Sequence, residues 1–144
     1  MLVNGLFGVA TMAVCFVFEA ILVLLALRYY SRRQSLLETS SFLKAMQILI
    51  GVMTVLVVGL LVQVGVWALL FLMLGEFSDF ELAFYHSAVN FSTLGYGDIV
   101  MSEQHRLLGP LEAINGVLMI GVSTAVVMAT VKDTLDKTVL ARKG

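Results

Sequence analysis

Charged residues are scarce in this chain of 144 residues: they make up 13% of it, whereas 60% is hydrophobic. Soluble domains usually carry about 25% charged residues, so the composition excludes an ordinary soluble protein and favours a membrane protein. The net charge of −1 gives no sign of nucleic-acid binding. With Cys15 as the only cysteine, a disulfide within the chain is excluded. We expect a buried, unreactive thiol there.

Basic residues are also missing from the N-terminus, where no lysine or arginine precedes Arg28. A secretory signal would begin with positive charge and contain a shorter apolar stretch. The apolar run from Leu2 to Leu27 is instead long enough to cross a bilayer, which takes about 20 helical residues. We therefore expect a retained transmembrane helix.

Three long apolar segments predict three membrane-spanning helices, because backbone in lipid must satisfy its own hydrogen bonds. They are Leu2–Leu27, Ala45–Leu74 and Leu107–Val131. A fourth apolar segment, at about 80–91, is too short to span the membrane. The sequence thus predicts an all-α membrane protein. Its predicted parts are an N-terminal transmembrane helix (1–30), a loop (31–44), a two-span domain (45–131) and a tail (132–144).

The positions of the basic residues predict the orientation. Four of them surround the first connection and four lie in the tail: Arg28, Arg32, Arg33 and Lys44, then Lys132, Lys137, Arg142 and Lys143. By contrast, Arg106 is the only lysine or arginine in residues 75–106. Because basic residues favour the cytoplasmic side, we expect the loop and the tail in the cytoplasm. The N-terminus and residues 75–106 should then lie outside.

The short apolar segment is predicted to form a helix that enters the membrane without crossing it. Ser78 and Glu81 fit a capping box, which predicts a helix over residues 79–92. Gly95 and Gly97 then indicate a turn. Non-helical backbone at membrane depth is tolerated only inside protein or along a water-filled path. We therefore expect this segment to line a path for polar solutes.

The stretch Phe91-Ser92-Thr93-Leu94-Gly95-Tyr96-Gly97-Asp98 resembles the filter signature of potassium channels, commonly T-V-G-Y-G-D. The resemblance covers residues 45–131, which would form an ion-channel pore domain. It implies an outer helix at 45–75, a pore helix at 79–92, a selectivity filter at 93–98 and an inner helix at 103–131. It also implies a four-fold homotetramer, because each chain supplies one filter loop.

The resemblance assigns roles to the filter residues. The carbonyls of Thr93, Leu94, Gly95 and Tyr96 would replace the water around K⁺, and the Thr93 hydroxyl would add an inner ring. Gly95 and Gly97 suit the unusual backbone, because glycine adopts positive φ at little cost. Leu94 stands where valine is commoner.

The resemblance also implies a support for the filter outside the ion path. Tyr85 is expected to hydrogen-bond Asp98, although interfacial packing of Tyr85 is an equal alternative. His86 could titrate near neutral pH and tune the filter, or simply be packed.

The chain departs from the family pattern at Val89, where many relatives carry a carboxylate. We expect Glu112, with Asn115 or Asn90, to support the filter instead, because an acidic residue within a span is costly and usually functional. Glu112 and Asn115 are three residues apart and share one helix face. The alternative places Glu112 at the lipid headgroups.

In the inner helix, Gly116 falls where the family often has a gating hinge, and close packing is the alternative. Pro110 either kinks this helix or marks its true beginning. The same alignment predicts three cavity-lining residues: Val117, Ile120 and Thr124.

Taken together, these features predict a potassium-selective channel subunit in the cell membrane. We expect no enzymatic activity, no cofactor, no small-molecule substrate and no nucleic acid; K⁺ is the permeant ion and the lipid bilayer the surrounding medium. Two alternatives stay open: a weakly selective cation channel, and a non-conducting regulatory or scaffold subunit.

Overall fold

The computed structural model describes residues 2–34 and 42–141, with side chains over 5–34 and 42–138. Residues 35–41 of the predicted loop and 142–144 of the predicted tail lie outside the described residues. The described ranges contain four α-helices and no strand: α1 (Leu2–Arg33), α2 (Phe42–Met73), α3 (Phe80–Phe91) and α4 (Leu108–Ala141). The predicted all-α architecture is confirmed.

Three of the four helices are long and apolar enough to cross a membrane: Gly5–Arg33, Phe42–Met73 and Leu108–Thr138. The fourth, α3, has 12 residues and is therefore about 18 Å long, well short of a bilayer core of about 30 Å. The arrangement of three spans and one short helix is the one that the apolar segments predict.

The fourth helix differs from its predicted range of 103–131, because it begins at Leu108 and continues to Ala141. The late start places Pro110 in the first helical turn, where its missing N–H has no intrahelical partner to lose. At the other end, no glycine or proline interrupts residues 132–141. The helix therefore continues through Lys132 into the predicted tail.

The cap of α3 also differs from the expected one. Ser78 was the predicted capping residue, but Asp79 is the N-cap, and its side chain accepts a hydrogen bond from the Leu82 amide at 2.9 Å. The Ser78 hydroxyl instead donates to Asp79 Oδ2 at 2.9 Å. A carboxylate serves this position well, because it also complements the positive end of the helix dipole.

The described helices contribute to two compact units, of which the first contains α1 up to Glu19 together with Leu60–Ile120. Its core is aromatic: Trp67 and Phe71 are fully buried, and Phe77 is nearly so. Phe71 lies 6.0 Å from Trp67 and 6.2 Å from Phe77 between ring centroids. These rings fix the end of α2 and the turn that leads into α3.

The second unit contains α1 from Ala20, α2 up to Gly59 and α4 from Gly121. Its core is aliphatic apart from one tyrosine: Ala26, Tyr30, Ala45, Ile48, Val52 and Leu56. Tyr30 Oη donates to Asp133 Oδ2 at 2.6 Å, which ties α1 to α4 within this unit. A polar link of this kind adds specificity to helix packing in a membrane.

Gly116 of α4 packs directly against the last residue of α3. A Cβ atom built on Gly116 would lie 1.9 Å from the carbonyl oxygen of Phe91 and 2.7 Å from its carbonyl carbon. The atoms that it would meet belong to the backbone, so they cannot move aside as a side chain can. This contact is the close packing that the sequence analysis gives as the alternative to a gating hinge at Gly116. The hinge itself stays a prediction.

We expect Gly116→Ala to lower the free energy of unfolding by about 1–3 kcal/mol or more, because overpacking against fixed backbone strains both helices. Thermal unfolding followed by circular dichroism in detergent micelles measures the loss. Gly121→Ala is the matched control, because nothing lies within 4 Å of a Cβ at that glycine in the same helix. Equal stability of the two variants would contradict the packing role.

Candidate functional site

The predicted filter, residues 93–98, has an alternating backbone. Thr93, Gly95 and Gly97 have positive φ angles of 61°, 57° and 72°, whereas Leu94 and Tyr96 do not. Alternation between positive and negative φ lets successive carbonyls turn toward the same side of the chain. The segment can therefore present a row of oxygen atoms that no regular helix or strand would align.

Thr93 shows that this conformation is imposed on the chain. Positive φ is an outlier for a β-branched residue and costs on the order of 1–3 kcal/mol. The end of α3 holds it in place: the Thr93 amide donates to Asn90 O at 2.9 Å and the Leu94 amide to Val89 O at 3.0 Å. Strain of this kind is kept where the surroundings enforce it, commonly at functional sites.

The predicted hydrogen bond between Tyr85 and Asp98 is present: Tyr85 Oη donates to Asp98 Oδ2 at 2.6 Å. Asp98 Oδ1 also accepts from the Ile99 amide at 3.0 Å. The hydrogen bond from Tyr85 lowers the pKa of Asp98 and raises that of Tyr85, since it favours the charged carboxylate and the neutral phenol. The carboxylate thus links α3 to the end of the predicted filter.

A second link was not predicted. The Glu76 carboxylate accepts from the Ser102 amide at 2.7 Å and from the Ser102 hydroxyl at 2.6 Å, and it contacts His105 Nδ1. Burial alone would raise the pKa of Glu76, but hydrogen bonds from Ser102 and His105 outweigh it and lower that pKa. The turn after α2 is therefore fastened to residues 99–107, a segment that we call the outer loop after its predicted orientation.

Glu112 is fully buried within the protein. Its carboxyl group contacts the hydroxyl of Ser87 on α3, and that hydroxyl also lies 2.8 Å from the carbonyl oxygen of Val64 on α2. Ser87 thus joins three helices at one point. Sequence reasoning missed it, because a serine within an apolar helix carries no signal of its own.

Of the two asparagines considered beside Glu112, Asn90 is the one that interacts with its carboxyl group. Asn115 is equally buried but has no hydrogen-bond partner for either amide atom among the described residues, and the Cys15 thiol is its neighbour. The expected pairing of Glu112 with a nearby amide is therefore present with Asn90 and not with Asn115.

The N-terminal helix also reaches this region. Glu19 is 3% exposed and accepts a hydrogen bond from Gln63 Nε2 at 2.7 Å. Cys15, on the same helix, is fully buried. It adjoins Trp67 as well as Asn115. The first span therefore contributes polar groups to the same unit as the predicted filter.

His86 connects α3 with the outer loop. Its Nδ1 lies 3.1 Å from the carbonyl oxygen of Ile99, and its Nε2 lies 2.8 Å from Asn90 Nδ2. The ring packs against Phe71 and Phe77, with centroids 5.7 and 4.9 Å away. Burial lowers the pKa of His86, because the charged imidazolium loses solvation.

A cavity of about 420 Å³ adjoins the predicted filter on the side of His86 and Asn90. The predicted filter contributes Thr93, Gly95 and Gly97 to its lining, and Arg106 of the outer loop contributes a guanidinium group. The predicted cavity-lining residues of α4 are exposed in the single chain: Val117, Ile120 and Thr124.

We expect Ser87→Ala to lower the free energy of unfolding by about 1–2 kcal/mol, because the buried Glu112 carboxyl group loses a partner. Chemical unfolding in micelles measures the difference. The control is Ser92→Ala, since the exposed Ser92 hydroxyl bonds only carbonyls of its own helix, Ala88 and Val89. An unchanged stability in Ser87→Ala would show that the contact contributes little.

The sequence model of a family described as ion channel matches residues 55–133, more than half of the chain. The matched region contains most of α2, all of α3, the predicted filter and most of α4. No curated protein and no solved structure shows significant similarity to the chain. The family is one of ion channels and not of enzymes. On this match and on its three membrane-spanning helices, the chain belongs to the ion channel family.

Proposed function

We propose that this ion channel subunit conducts K⁺ selectively and works as a homotetramer. The observation that carries the proposal is the alternating backbone of the Thr-Leu-Gly-Tyr-Gly segment, with positive φ at every second residue. A dehydrated K⁺ needs oxygen atoms in place of its water, and rings of backbone carbonyls supply them in potassium channels. The carbonyls of Thr93, Leu94, Gly95 and Tyr96 are the proposed ligands.

The exposed apolar residues around the filter support the tetramer. Leu94, Tyr96 and Val100 are 58%, 66% and 74% exposed in the single chain. A patch of this kind beside a polar segment is typical of an interface. In the proposed tetramer, neighbouring copies cover these side chains, and four filter segments close the ring of oxygen atoms.

The filter is supported without a carboxylate at Val89. Glu112 contacts Ser87 and Asn90 on the pore helix, and Asp98 receives the Tyr85 hydroxyl. We propose that these contacts do the work of the missing carboxylate. The negative end of the α3 dipole, directly before Thr93, additionally favours a cation.

The inner helix would complete the path. Val117, Ile120 and Thr124 are exposed in the single chain, which suits residues that line a central cavity. The basic residues near the ends of α1 and α4 favour a cytoplasmic loop and tail in the cell membrane. The filter would then face outward.

We expect a reversal potential close to that of K⁺ when purified protein separates K⁺ from Na⁺ in a planar bilayer. Gly95→Ala should move it toward zero or abolish current, because alanine resists the positive φ that the filter needs. Gly75→Ala is the matched control. Gly75 also has positive φ (74°) and open space at its Cβ, but it lies in the turn after α2.

The outcomes separate the proposal from its alternatives. Robust current with a reversal potential near zero in the natural sequence would identify a weakly selective cation channel. No current from an intact homotetramer would favour the scaffold subunit. Leu94→Val should keep K⁺ selectivity, since only the carbonyl of this residue is proposed to face the ion. A selectivity lost in Leu94→Val would contradict that geometry.

A further inference from the structure

We propose that His86 is a positioning residue for the outer end of the filter, and that its protonation weakens conduction in acid. The proposal concerns the hydrogen bonds of His86 to Ile99 and Asn90, and the contact of Asn90 with Glu112. It rests on the proposed function only in its first test, which measures current. The hydrogen bonds on which it is based lie within a single chain.

The partners of His86 determine which ring nitrogen carries the hydrogen atom. A carbonyl oxygen can only accept, so Nδ1 must donate to Ile99 O at 3.1 Å. In the neutral ring Nε2 is then an acceptor, and it lies 2.8 Å from the amide nitrogen of Asn90, which can only donate. The neutral ring therefore satisfies both contacts.

The Asn90 side chain also lies close to the Glu112 carboxyl group of α4 and interacts with it. The hydrogen bonds themselves run from the carbonyl of Ile99, directly after Asp98, through His86 to Asn90. They join the loop that follows the proposed filter to α3, beside Glu112 of α4.

Protonation of His86 is incompatible with these hydrogen bonds. The imidazolium donates from both nitrogens, so Nε2 then opposes the donor of Asn90. Either the hydrogen bond between His86 and Asn90 breaks, or the Asn90 amide has to turn and present its oxygen. In both cases the present arrangement of α3 against the outer loop is lost, and the filter segment loses part of its fixation.

The surroundings of His86 keep it neutral at ordinary pH. The faces toward Phe71 and Phe77 are uncharged, and burial is the largest influence on its pKa, which it lowers. Asp98 and Glu76 act in the opposite direction but more weakly. On the α4 side, Arg106 lines the same cavity and Glu112 lies beyond Asn90.

The sign of the pH effect follows from this lowered pKa. The arrangement held by neutral His86 is at full strength above the ordinary histidine value of about 6.5. It loses stability as pH falls from there through the lowered pKa in the folded protein. We therefore expect acid to reduce conduction, with a midpoint below about 6.5.

The first test is current through tetramers in planar bilayers, with the pH of both solutions lowered together from about 8 to 5, a range that spans histidine titration. We expect the current through the natural sequence to fall about two- to tenfold, the change that corresponds to the loss of one hydrogen bond. His86→Gln should abolish this dependence. His105→Gln is the control and should retain it, since His105 is the only other histidine.

Current that is insensitive to acid in the natural sequence would overturn the proposal, and so would an unchanged acid response in His86→Gln. If the acid response were lost in His105→Gln and kept in His86→Gln, it would depend on the contact of His105 with Glu76, and the proposal would be overturned. Because His86→Gln could fail to assemble, the second test uses the natural sequence.

The second test is the ¹⁵N spectrum of the histidine rings in the full chain, reconstituted in phospholipid nanodiscs. We expect His86 to carry its hydrogen on Nδ1 near neutral pH and to titrate below about 6.5. A hydrogen on Nε2, or an unshifted titration, would overturn the proposal. This spectrum needs no current, so failure of the proposed channel function and failure of the His86 proposal can be told apart.

Discussion

The structure depends on one constraint: the backbone of the proposed filter must keep its carbonyl groups unpaired while the segment stays fixed. Only the amides are then available for fastening, and those of Thr93 and Leu94 bond to carbonyls at the end of α3. This is why α3 has to end at Phe91, directly before the segment. Gly116 follows from the same requirement, because the Phe91 carbonyl lies where any larger residue of α4 would need room.

The contacts around the proposed filter are spread over several helices, because no carboxylate stands at Val89 of α3. Glu112 contacts Ser87 from α4, and Glu76 holds Ser102 from the end of α2. In the proposed channel, a residue of α4 that contacts α3 has a mechanical consequence. Movement of α4 would change the surroundings of the proposed filter directly, whereas a carboxylate on α3 would move with that segment.

The sequence predicts those parts of the molecule that local patterns encode. Apolar length predicts the three spans, and a short apolar segment before Gly95 and Gly97 predicts α3. The bond between Tyr85 and Asp98 could be expected because the resemblance places both residues. The ends of the helices were predicted less accurately. α4 continues to Ala141, because the basic residues near its end lower the hydropathy of the segment but do not prevent helix formation.

Contacts between distant residues could not be predicted in the same way. Glu76 and His105 are 29 positions apart, and Glu19 and Gln63 are 44 apart. Periodicity indicates which face of a helix is apolar, but not which polar residue of another helix it meets. A glutamine such as Gln63 becomes informative only once the packing of α1 against α2 is known.

These long-range contacts decide whether α1 is an accessory to a two-span pore. In the described residues, Glu19 is the hydrogen-bond partner of Gln63, and Cys15 adjoins Trp67 and Asn115. Glu19 thus gives the buried Gln63 side chain a partner, and inside a membrane an unsatisfied polar group costs several kcal/mol. At Gly8 the helix also approaches Leu111, at the start of α4. In the described residues, α1 up to Glu19 therefore belongs to the same compact unit as the proposed filter and packs against both following spans.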